Sequence, residues 1–257
     1  MNLFRIEPGT RWLFCFTHPD DELSILAWMR RLVRGGAEVY SGWSVSNPIR
    51  ESESRAVMEM VGVPQKNLVF HSLPDGKLCS HLEELVQKWE KVVREVAPHR
   101  IVVGAFECGH LDHDSTNFAV NQARESLGKT SLPIFEVPFY HTYLTRIPVI
   151  NRFADDEGEE IIALTEEEQK IKIRASRMYR SQRIGLYLTG YTLLKTLSLR
   201  PVRLYATERM RLQTHDNFFE PNLPAELAEK VKRSEKWKQW LEAMKRYAEK
   251  HSRVGSF

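Results

Sequence analysis

Two apolar runs in this chain each stop at a cluster of histidine and aspartate. The first, Trp12 to Phe16, leads into Thr17-His18-Pro19-Asp20-Asp21-Glu22. The second, Ile101 to Phe106, leads into Glu107-Cys108-Gly109-His110-Leu111-Asp112-His113. Short apolar runs bounded in this way read as strands buried on both faces. Two such strand ends can meet at the carboxyl edge of one parallel sheet, where open α/β folds place their sites. The first cluster also has a plainer reading. Thr17 with Asp20 resembles a capping box, and acids suit the first turn of a helix over roughly Glu22 to Arg34. Capping explains the acids but not His18. The second cluster, with its own His and Asp, favours a shared metal site.

The rest of the first half fits a sheet of this kind. Strands are expected at Trp12-Phe16, Ala37-Trp43, Asn67-Phe70, Ile101-Ala105 and Pro133-Val137, with helical patterns between them. The clearest is His81 to Val96, where Leu82, Leu85, Val86, Trp89, Val92, Val93 and Val96 share a face. This alternation predicts an α/β fold, a Rossmann-like and mostly parallel sheet flanked by helices. Past residue 140 the pattern changes. The Tyr140-His141-Thr142-Tyr143 stretch is polar and aromatic, and Asp155 to Gly158 reads as a turn between strands Asn151-Ala154 and Glu160-Leu164. Thr165 with Glu168 reads as a capping box for a helix to about Gln182. Residues 184 to 222 carry no clear pattern. Pro224 to about Lys250 reads as one amphipathic helix. The expected division is a main domain over 1–222 and a C-terminal helical elaboration over 223–257, part of the same domain or an oligomer contact.

Several partner classes drop out. The net charge of +3 in 257 residues is too small to point to nucleic acid. No apolar run approaches the length of a membrane span, and Met1 to Arg11 does not resemble a signal peptide. Three widely spaced cysteines, Cys15, Cys79 and Cys108, argue against a disulfide framework and for a reducing, cytoplasmic setting. Homo-oligomerisation through the terminal helix stays open.

His-Pro-Asp-Asp-Glu followed by a later His-x-Asp-His resembles the PIG-L/LmbE family of zinc-dependent de-N-acetylases, and the resemblance covers most of residues 11 to 182. It implies an LmbE-like fold and a catalytic metal, zinc or another divalent ion such as Fe2+, on His18, Asp21 and His113. It implies Asp20 as general base, His110 facing the developing oxyanion, and Asp112 orienting a histidine from behind. Arg50-Glu51-Ser52-Glu53 resembles the family's Arg-x-x-Glu, and Leu73-Pro74-Asp75-Gly76 its Pro-Asp-Gly loop. Arg50 and Asp75 become candidate substrate contacts, although a helix-start arginine and a plain Asp-Gly turn serve structure equally well. Tyr179-x-Ser181-Gln182 resembles a further family segment, for which packing is expected.

The resemblance implies hydrolysis of an N-acetyl group on an N-acetylglucosamine-type conjugate. Leu23-Ser24-Ile25-Leu26-Ala27 stands where the family often has Gly-Gly, and Cys108 beside the second motif is unusual. Both leave the substrate open. An amidase on another small N-acyl compound is the alternative, and Arg50 and Asp75 separate the two: lining the pocket, they would favour a polyhydroxylated substrate. A non-catalytic metal-binding protein on the same fold would predict a lost ligand or base, and none is lost. A nucleotide-binding Rossmann protein would want G-x-G-x-x-G after the first strand; acids occupy that place.

Overall fold

The computed structural model describes residues 2–141, 148–197 and 203–252. In chain order the strands are β1 (Arg11–Phe16), β2 (Glu38–Val45), β3 (Leu68–Leu73), β4 (Arg100–Gly104), β5 (Ile134–Val137), β6 (Tyr140–His141), β7 (Val149–Ile150), β8 (Glu159–Ala163) and β9 (Thr207–Leu212). The helices are α1 (Leu26–Arg34), α2 (Pro48–Val61), α3 (Leu82–Val96), α4 (Leu111–Ser126), α5 (Glu166–Met178), α6 (Ile184–Leu197), α7 (Ala225–Lys232) and α8 (Glu235–Ser252). Seven strands form one sheet in the order β3-β2-β1-β4-β5-β9-β8. Strands β1 to β5 are parallel, and β9 and β8 extend the sheet antiparallel. The expected α/β fold with a mostly parallel, helix-flanked sheet is what forms.

The centre of the sheet explains itself from β1. Alternate side chains of a strand point to opposite faces. Trp12, Phe14 and Phe16 enter one core with Trp28, Met29, Val57, Met58 and Tyr179. Leu13 and Cys15 enter the other with Trp89, Val93, Phe118 and Trp240. Helices α1, α2 and α5 therefore cover one face, and α3, α4 and α8 the other. Each large apolar side chain so buried contributes roughly 1.5–3 kcal/mol. The site lies at the carboxyl ends of β1 and β4, beside the point where the chain winds away in both directions.

Three local expectations need correction. The helix expected from Glu22 begins as a 3-10 turn, Asp21–Ser24, and α1 starts only at Leu26. No side chain of the first motif caps either element. The backbone N–H groups of Ala27 and Trp28 instead donate to Glu208 of β9, each at 2.8 Å. The turn at Asp155 to Gly158 does not join a hairpin: β7 pairs with β6, and β8 with β9. The C-terminal helix is two helices, broken after Lys232, with 253–257 outside the described residues. Its apolar residues Val231, Trp237, Trp240 and Met244 join the core over α3. Thr142 and Tyr143, from the aromatic stretch, also lie outside the described residues.

Candidate metal centre

The two motifs are brought together by adjacent parallel strands, since β1 pairs directly with β4. Beyond Phe16 the chain turns sharply, and Asp20 takes φ 113°, a region that side chains rarely adopt. Two bonds hold that turn. The Asp20 N–H donates to Glu22 Oε2 at 2.9 Å, and Arg50 Nη2 donates to the Pro19 carbonyl at 2.8 Å. The Asp21 carboxylate folds back to accept from the N–H groups of Thr17 and His18, at 3.1 and 2.8 Å. Beyond β4 the chain passes through Cys108 at φ 57° and enters α4 with His110 as N-cap, whose Nδ1 accepts from the Asp112 N–H at 3.2 Å.

Asp112 and His113 in the first turn of α4 then face the first motif. His113 Nε2 lies 3.2 Å from His18 Nδ1 and 3.6 Å from Asp21 Oδ1, and His18 Nδ1 lies 3.9 Å from Asp21 Oδ2. One ligand atom from each of His18, Asp21 and His113 falls within 4.8 Å of the others. Two imidazole nitrogens and a carboxylate oxygen at this spacing fit a small divalent ion with a position left for substrate. On the far side of the His18 ring, Nε2 faces Asp112 Oδ2 at 3.5 Å and Asp75 Oδ1 at 3.3 Å. Asp112 is fully buried and also accepts from the N–H groups of Gly76 and Leu78, at 2.6 and 3.0 Å. A carboxylate behind a ligating imidazole fixes its tautomer and ring orientation.

The electrostatics match a cation. Burial pulls the His18 imidazole down, but Asp112, Asp75 and Asp21 outweigh it and push it up to about 10. Burial and then the charge of His18 hold His113 well below the usual histidine range. Burial, reinforced by Asp21, holds Asp20 well above the usual carboxylate range. The hydrogen bond with His18 pulls Asp75 down to about 2. Acids crowded in a dry site favour either protons or a metal ion in their midst.

Every site residue singled out in the sequence falls in or beside this cluster, but Arg50 is differently engaged. It is buried, bonded to Pro19, and within 3.7 Å of Asp20 Oδ1 and 3.3 Å of Asp75 Oδ2. Asp75 sits at the rim with its side chain 61% exposed. A cavity of about 450 Å³ opens beside Asp20 and Asp21. Neither Arg50 nor Asp75 lines it. Its wall is mostly apolar, with Leu23, Phe139, Tyr140, Ile184, Tyr187 and Leu188 prominent.

Four residues at or behind the site were given no role in it. Phe139 and Tyr140 set their rings edge-on to His113, at centroid distances of 4.9 and 5.7 Å. Phe139 fits there because Gly104 has no side chain: a Cβ would meet its ring at 2.2 Å. Glu22, fully buried, accepts from Trp43, Ser54 and Tyr179. Glu53 accepts from the N–H and hydroxyl of Ser181, at 2.8 and 2.6 Å. The Arg-x-x-Glu and Tyr-x-Ser-Gln segments, read separately as resemblances, are thus two sides of one contact. Their joint appearance was the signal.

Residues 40–124, which include the second motif but not the first, match the family PIG-L, described as GlcNAc-PI de-N-acetylase. No curated protein matches the chain. Among solved structures, teicoplanin deacetylase in its zinc-inhibited form aligns at 14% identity and TM-score 0.58, covering 80% of this chain and 100% of that one. N,N'-diacetylchitobiose deacetylase from Pyrococcus horikoshii aligns at 16% and 0.51, covering 80% and 84%. The 4-carboxy-2-hydroxymuconate hydratase from Pseudomonas putida aligns at 12% and 0.52, covering 81% and 97%. At these identities the structures establish a shared fold. The match over residues 40–124 and the shared fold agree with the paired His/Asp motifs in their likeness to the PIG-L family.

Proposed function

We propose that this chain is a metal-dependent hydrolase that removes an N-acetyl group from an N-acetylglucosamine-type conjugate. The observation that carries the reading is the convergence of His18 Nδ1, His113 Nε2 and the Asp21 carboxylate, with Asp20 beside them at the mouth of a cavity. A divalent ion on these three residues, zinc being the best match to the donor set, supplies a Lewis acid that acidifies water and polarises a carbonyl. Asp20 takes the proton from the attacking water and delivers it to the leaving amine. Its carboxylate lies beside the ligand set, and Arg50 Nη2, 3.7 Å from Oδ1, steadies it. His110 donates to the developing oxyanion. Asp112 fixes His18 from behind, and Asp75 at the rim meets a substrate hydroxyl with Arg50 bracing it.

The cavity is apolar and lined by neither Arg50 nor Asp75, which favours a second reading, an amidase on another small N-acyl compound with an apolar body. The neighbouring hydratase is a reminder that one fold hosts several chemistries. A cytoplasmic setting belongs to the proposal. The three cysteines are free and buried, and among the described residues no helix is long and apolar enough to cross a membrane. So does a single domain over 1–222 with α7 and α8 as its elaboration. The test is acetate release by zinc-loaded protein across N-acetylglucosamine conjugates, chitooligosaccharides and simple N-acyl amines. Release abolished by a chelator supports the reaction. No release from any of them, by protein holding about one zinc per chain, refutes the deacetylase reading.

A further inference from the structure

Helix α6 is apolar on both sides, unlike an ordinary surface helix. Leu186, Leu193 and Leu197 lie along one side of it and are 71%, 60% and 73% exposed. Surface helices ordinarily turn that face to the core. The opposite side of α6 carries Ile184 and Leu188 into the wall of the cavity beside Asp20 and Asp21. Large apolar side chains clustered in water mark a docking surface.

The charge of this segment narrows what docks there. From Gln169 to Thr207 the chain has no acidic residue and nine basic ones: Lys170, Lys172, Arg174, Arg177, Arg180, Arg183, Lys195, Arg200 and Arg203. Arg174, Arg177, Arg180 and Arg183 are exposed, and among the described residues none of the four is in an ion pair. A second copy of the chain fits less well, because a two-fold contact brings the same net-basic region to both sides. Leucines on a helix of 14 residues, with Arg180 and Arg183 just before its first turn and Lys195 in its last, suit a different partner. Such a helix, about 21 Å long, is too short to span a bilayer but lies readily in its surface.

We propose that α6 docks this protein on an anionic lipid bilayer. Leu186, Leu193 and Leu197 enter the headgroup layer, and Arg180 and Arg183 meet the lipid phosphates. The cavity then lies beneath a helix whose outer side is in lipid. The docking surface stands independently of the reaction proposed above, because soluble-substrate turnover reads the site and vesicle binding reads the helix.

The experiment is vesicle co-sedimentation of the full chain with phosphatidylcholine alone and with phosphatidylcholine mixed with phosphatidylglycerol. The expected result is binding to the mixed vesicles only, weakened by salt. L186Q/L193Q/L197Q, at exposed positions and with a good helix former, lowers binding by about tenfold or more and leaves soluble-substrate turnover and melting temperature unchanged. R180Q/R183Q lowers binding to anionic vesicles by roughly thirtyfold, and it tests the proposal if the leucine variant fails to fold. No vesicle binding by the wild type, no preference for the anionic lipid, or undiminished binding in either folded variant overturns the proposal. A wild-type dimer that the leucine variant dissolves, without vesicle binding, overturns it in favour of a second copy.

Discussion

Replacing Asp112 separates its service to the fold from its proposed service to a metal. Its two oxygens are saturated by the Gly76 and Leu78 N–H groups, and Oδ2 also faces His18 Nε2. Asparagine has one acceptor oxygen and one NH2. Whichever way the amide sits, one buried backbone N–H faces a donor. Leaving a buried donor unpaired costs roughly 1–3 kcal/mol. For a chain of this size that is a fall of about 2–12 °C in melting temperature. The cost to metal binding is separate. Asp112 keeps a proton on Nε2 and so leaves the Nδ1 lone pair aimed at His113 and Asp21. Losing such a partner weakens metal affinity about 10–100-fold. Zinc affinity by chelator competition reads the second effect, and thermal unfolding in excess chelator reads the first. The Asp112→Asn protein is expected to stay folded, melt lower and bind zinc more weakly. Wild-type zinc affinity in a protein that melts lower would show that Asp112 serves the fold alone, and the assignment of His18 as an oriented ligand would fall.

The other expectations come from neighbouring residues. Asp20→Ala keeps zinc but loses turnover by about 10²–10⁴-fold, whereas His113→Ala loses both; metal content and acetate release on the same preparations check this. Gly104→Ala drives a methyl into the Phe139 ring, costs about 1–3 kcal/mol and displaces the ring edge packed on His113, so turnover falls with stability. Arg31 holds Glu168 down to about 2, through bonds of 2.6 and 2.7 Å. A depressed carboxyl contributes stability that is present above its unfolded pKa near 4.5 and is lost as pH falls through about 2. Glu168→Gln should flatten the unfolding profile within that window and lower stability above it.

The parallel half of the fold was legible because each of its elements is locally determined. β1 is apolar on both faces, α3 has an unbroken stripe, and Gly62 ends α2 in the left-handed region that glycine tolerates best. The antiparallel edge was not legible, because its residues answer to distant ones. Glu208 sits in β9 yet caps α1 from 181 residues away, and it is paired with a buried Lys172 at 2.8 Å. Nothing local marks an acid and a lysine as buried. Local rules gave α1 a cap in its own motif and left β9 without a purpose. The same long-range bond explains both errors.

The site divides along the same line. His18, Asp21, Asp112 and His113 come from two short motifs that follow paired strands, so one topological step brings them together. Arg50 needed more. Read alone, it was equally a substrate contact and a helix-start arginine; in place, its guanidinium is spent on Pro19, Asp20 and Asp75. A buried arginine that bonds the backbone just before the strained Asp20 is better placed to hold the proposed base than to bind a sugar. That predicts a particular defect for Arg50→Lys. Lysine has one charged nitrogen where the guanidinium reaches three groups, so Asp20 loses its brace while the ligand set keeps its own. Turnover should fall with zinc affinity and KM little changed. A rise in KM with turnover intact would instead place Arg50 against the substrate and undo this reading.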